Sequence, residues 1–152
     1  MKIYNSVQEI GCRILLILVT TKKKMSLETI STYDYFSIHI NDLYKELLCL
    51  HPNNPNHSSE IVVRRMMLRD ALSFLAQKGL VQVELSEKGI YYFTDSFSEK
   101  IVDLFDNTYS LKYQEYVCKV NEYFKEMSEE EISKYVKTNI SRWKSNFEGE
   151  EH

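Results

Sequence analysis

The stretch SSEIVVRRMMLRDALSFLAQKGLVQVELSEKGIYYFTD, residues 58–95, constrains the fold more than any other. It opens on capping serines and carries apolar residues at helical spacing, which predicts a helix from about Glu60 to Lys78. Gly79 stands where a left-handed C-cap belongs. The runs LVQVEL and IYYFT, rich in β-branched and aromatic residues, then flank the short turn SEKG that contains Gly89. Such runs predict a β-hairpin. A helix delivered into a hairpin has the outline of a recognition helix and its wing. The expected fold class is therefore mainly α (α+β), a winged-helix-like core with one β-hairpin wing and added C-terminal helices.

The flanking sequence reads as further helices. In YNSVQEIGCRILLILVTTKKK, Asn5 or Ser6 caps a helix that the lysine run closes, where positive charge meets the helix dipole favourably. SLETISTYDYFSIHINDLYKELLCL reads as a second helix capped by Ser26, with Leu27, Ile30, Tyr33 or Asp34, and Ile38 along one face. HPNNPNHSSE is a loop. Beyond the hairpin, Ser96 to Glu99 and Ser128 to Glu131 both match the capping box. They predict one helix over about 97–127, bent near Asn107, and a second bearing Ile132, Tyr135 or Val136, Ile140, Trp143 and Phe147. The division expected is a core over 1–95 with a helical extension over 96–152 packed on it, all in one compact domain.

Whether such a chain reads DNA depends on the outer face of the helix at 61–76. A reader needs an apolar face toward its core and a polar face toward base edges. On a helical wheel Ile61, Leu68, Leu72 and Leu75 cluster on the inner face, with Arg65 between Ile61 and Leu68. Opposite stand Val63, Met67 and Phe74, with Met66 and Asp70 beside them, which is the wrong chemistry for a groove. A helix apolar on both sides is sandwiched, either by its own C-terminal helices or by a partner. Arg65 so placed needs a carboxylate, and Asp34 and Glu60 are within reach. A DNA-binding regulator would instead set Arg64, Arg69 and Lys88 against phosphate. The net charge of -3 opposes this unless a local basic patch forms.

Catalysis and metal binding find no support in the motifs. The four histidines, His39, His51, His57 and His152, include one close pair, with only Cys49 near it. No phosphate loop, nucleophile elbow or His-Glu-x-x-His motif occurs. No enzyme, metal or cofactor is expected. Cys12, Cys49 and Cys118 are an odd, widely spaced set that fits free thiols in a reducing cytoplasm. The apolar run Ile14 to Val19 is far shorter than the ~20 residues that span a bilayer. Eleven tyrosines, among them Tyr109, Tyr113 and Tyr116, are either an interface or a half-buried packing layer.

The order YNSVQEIGCRILLIL, SLETISTYDYFSIH, LHPNNPNHSSEIVVRR, ALSFLAQKGLVQV and KGIYYFTD resembles the small middle component of bacterial ABC-three component systems, from Tyr4 to about Trp143. The resemblance implies a non-catalytic adaptor between an SMC-like ABC ATPase and an effector, typically a nuclease, in Lamassu-like defence against phage or plasmids. This agrees with the apolar outer face above, and on the adaptor reading Val63, Met67, Phe74 and the aromatic C-terminal helices are expected to bind a partner. DNA contact is expected only within the complex, and a homodimer is compatible with it. His51, Pro52, Glu60, Arg64, Arg65 and Gly79 match the family's pattern. They are expected, with Asp34 and Gly89, to hold the structure.

Overall fold

The computed structural model describes residues 6–50 and 57–150, with side chains described for 6–50 and 63–139. Helix α1 (Val7–Thr21) starts at Ser6, whose hydroxyl accepts from the Glu9 amide, and ends at Lys22 in the left-handed conformation. The chain then touches the hairpin once. Met25 and Tyr92 exchange both main-chain hydrogen bonds, at 3.0 and 2.8 Å, as an antiparallel bridge. Helix α2 (Leu27–Ile38) is capped by Ser26 and followed by a 3-10 turn, Ile40–Asp42.

Helix α3 (His57–Gln77) leads through Gly79, at φ +74°, into β1 (Gln82–Ser86) and β2 (Gly89–Phe93). The Leu80 amide returns to the Leu75 carbonyl and the Gly79 amide to Ala76, which satisfies carbonyls the helix end would leave open. The strands pair antiparallel from Gln82 with Phe93 to Ser86 with Gly89, whose φ of +136° suits only glycine. Helices α4 (Ser96–Val102), α5 (Thr108–Phe124) and α6 (Glu129–Glu150) complete the chain. Among the described residues, six α-helices, one antiparallel hairpin and a bridging residue between the first two helices are consistent with an α+β, winged-helix-like fold.

Several boundaries differ from the sequence reading. Helix α2 stops at Ile38, where His39 leaves the helical conformation, and does not reach Leu50; every residue from Thr29 to Ile38 is buried. Helices α1, α3, α5 and α6 all pack against it. A helix surrounded in this way shows no single apolar stripe, so its length cannot be read from one. The helix expected over 97–127 is two helices, with Asn107 capping the second through the Ser110 amide at 2.8 Å. Ser96 is not the cap of α4. Asp95 is, accepting from the amides of Phe97 and Ser98. At α6 the capping box is reciprocal: the Ser128 amide donates to Glu131 and the Glu131 amide to Ser128, each at 3.1 Å.

The core unites the N-terminal and C-terminal parts. Ile14, Ile17 and Leu18 of α1 belong to the same buried cluster as Val117, Val120 and Phe124 of α5 and Val136 of α6. Each such apolar side chain contributes about 1.5–3 kcal/mol when fully buried. Gly11 of α1 faces Leu75 of α3, where an added Cβ would sit in ordinary van der Waals contact, 3.4 Å from Leu75 Cδ2. Among the described residues no helix is long and apolar enough to cross a membrane.

Candidate functional site

Polar chemistry is concentrated at one buried point where four helices meet. Arg13 in α1 grips Asp34 of α2 with two donors, Nε to Oδ1 at 2.8 Å and Nη2 to Oδ2 at 3.3 Å. Arg64 of α3 adds Nη1 to Oδ2 at 3.0 Å, and the Tyr113 hydroxyl of α5 donates to Oδ1 at 2.6 Å. Asp34 is 0% exposed. Each of its oxygens accepts twice, so the carboxylate has nothing left to offer a substrate.

Electrostatics fix its charge state. Burial alone would raise the Asp34 carboxyl, but Arg13 and Arg64 outweigh it and hold the group well below the usual carboxylate range. Burial likewise opposes the Arg13 charge, and Asp34 overcomes it, holding the guanidinium above its ordinary value. The Tyr113 phenol is pushed up by burial and then by Asp34. Tyr109 is pushed up to about 12, chiefly by burial. The cluster is an anionic anchor inside a cationic clasp, built to hold four helices in register.

This placement corrects the sequence assignment of the arginines. Arg64 is 6% exposed and pairs with Asp34, so it is not available to phosphate. Arg65, expected in that position, is half-buried beside it. The buried line of α3 runs Arg64, Leu68, Ala71, Leu72 and Leu75, turned from the predicted one toward Ala71, a small residue that a hydropathy wheel underweights. Arg13 was missed altogether. Its signal was present in GCRILLIL: an arginine inside an apolar helical run must find a buried acid.

On the opposite side of α3, Val63 and Met66 are 55% and 61% exposed, with Arg69, Asp70 and Ser73 further along. Met67 and Phe74 are not on that outer surface, since both are half-buried and packed on the core. The tyrosines divide in the same way. Tyr113 and Tyr116 point inward, 0% and 2% exposed, and the Tyr116 hydroxyl ties α5 to the Leu48 carbonyl at 2.8 Å. They form no partner surface, because amphipathic rings at helical spacing fill the core side of α5. Tyr109 is half-buried and stacked on Tyr113.

Tyr109 also lines a cleft of about 420 Å³ with Glu9, Cys12, Arg13, Leu16 and Asn107. Burial and then Glu9 push the Cys12 thiol up, away from the reactive thiolate. Lys88 at the hairpin tip is exposed and borders a second, mixed-charge cleft against Glu129, Glu130 and Lys134. Among the described residues no group of three or more His, Cys, Asp or Glu is placed to hold a metal ion. His51, Pro52 and His152 lie outside the described residues, as do the side chains of His57, Glu60, Ile61, Ile140, Trp143 and Phe147.

No curated protein and no solved structure matches the chain. A family model described as ABC-three component (ABC-3C) system Middle Component 2 matches residues 3–146. The match takes in all four helices that clasp Asp34 and the whole hairpin. The chain therefore belongs to the Middle Component 2 family of ABC-three component systems.

Proposed function

We propose that this protein is a non-enzymatic adaptor that joins an SMC-like ABC ATPase to an effector, of the nuclease type, in a Lamassu-like bacterial complex acting against phage or plasmids. Membership of a middle-component family carries this reading. The outer face of α3 supports it, because Val63 and Met66 present apolar surface where a groove reader would present polar donors. The proposed contact is centred on these two residues, with Met67 and Phe74 supporting them from below. Any DNA contact is made within the assembled complex.

The test is co-expression of the tagged chain with the products of its two flanking genes, followed by size-exclusion chromatography. A stoichiometric complex containing the ATPase is expected. The double variant V63D/M66D lowers its yield by at least about tenfold, as loss of a buried interface anchor does. A lone dimer that shifts duplex DNA in low salt, and loses that shift on R69E, replaces the adaptor with a DNA-binding regulator using Arg69 and Lys88.

A further inference from the structure

The hairpin carries a second surface, separate from the outer face of α3. Tyr92 uses both of its main-chain groups on Met25. Opposite Val83 it therefore forms a non-hydrogen-bonded pair. By the alternation of an antiparallel ladder, Gln82, Glu84 and Ser86 bond to β2, while the N–H and C=O of Val83 and Leu85 point away from it. Among the described residues β1 is the outer strand, since Met25 flanks β2. The side chains at the same positions are open too: Val83 is 46% exposed, Leu85 77%, and the facing Ile90 50%. An outer strand with free main-chain groups and an apolar face is a template for another strand.

The charge pattern selects the occupant. Glu84 lies on the other face, held by Lys24 at 2.8 Å yet still 44% exposed. A second copy aligned antiparallel, so that Val83 of each meets Leu85 of the other, would set Glu84 against Glu84, and like charges directly opposite are destabilising. A foreign segment with a cation at that place gains instead. We propose that the free edge of β1 docks an extended segment of another protein, reading apolar, basic, apolar opposite Val83, Glu84 and Leu85.

Amide hydrogen exchange on the full chain tests this with two end-blocked octapeptides, one alternating Val and Lys, the other Val and Glu. In the free chain the Val83 and Leu85 amides should exchange freely. The Val/Lys peptide should slow both by about tenfold or more. The Val/Glu peptide should bind about fivefold more weakly or worse. V83P removes an edge N–H that β2 does not use and should abolish the protection. V83K/L85K serves the same purpose should the proline disturb the hairpin. Four results overturn the proposal: amides already protected in the free chain, no protection at millimolar peptide, binding indifferent to both variants, or a dimer that V83P dissociates. The last would make the edge a contact between copies of this chain. None of these readouts depends on the adaptor role.

Discussion

At the scale of single residues, Asp34 carries the most consequence. Replacing it with asparagine leaves Arg13 and Arg64 buried without a counter-charge, which costs about 3–5 kcal/mol. Tyr113→Phe removes one hydrogen bond to a charged group and costs less, about 1.5–3 kcal/mol. Urea unfolding of the two variants should rank them in that order. The carboxyl also sets the acid limit. Its folded value lies below the unfolded value of about 3.9, so the unfolded chain takes up the proton first. The stabilisation is present above that unfolded value and is lost as pH falls below it. The melting temperature of the parent chain should therefore drop more steeply below about pH 4 than that of D34N. On the alkaline side the signs reverse. Tyr113 and Tyr109 are raised, Tyr109 to about 12, so their contribution is intact below about pH 10 and fades as pH rises toward 12.

At the scale of elements, α3 shows how position within one helix separates stability from contact. Leu68 is wholly buried and Met66 mostly exposed. L68A should cost about 2–5 kcal/mol. M66D should stay within about 0.5 kcal/mol while weakening assembly. Thermal melts beside the co-purification would separate the two effects. The caps behave as local rules suggest. Ser128→Ala should cost about 1 kcal/mol through loss of its bond to the Glu131 amide, read by chemical denaturation. The caps at Ser6, Ser26 and Ser128, the glycine C-cap and the hairpin were legible because each depends on a few neighbouring residues, whereas at α4 the cap is Asp95 and not Ser96. The end of α2 and the break between α4 and α5 were not. The first is hidden because α2 is buried on every side and shows no stripe, and the second because the apolar pattern runs on past Asn107, whose cap turns the bend expected there into a new helix start.

At the scale of the whole molecule, the C-terminal helices complete the core. Tyr113 supplies one bond to Asp34, Val117 and Val120 are fully buried, and Tyr44 and Tyr116 cross-link α5 to the segment after α2. The N-terminus of α6 docks on that of α2 through Ser133 to Glu28 and Ser26 to Glu129, each at 2.6 Å. A chain ended at residue 95 would expose the far side of α1 and α2. Its circular dichroism melt should show no cooperative transition.

The sequence by itself determined the repertoire of this protein: a helical chain with one glycine-closed hairpin, capped helices, and a middle-component pattern along its length. Those signals are local, or lie in the order of local signals, and survive without knowledge of the fold. Only the tertiary structure decided which arginine meets Asp34, which tyrosines turn inward, and which apolar residues of α3 remain outside. A helix advances 100° per residue, so a small rotation of α3 exchanges Arg65 for Arg64, and that rotation is set by packing against α1 and α2.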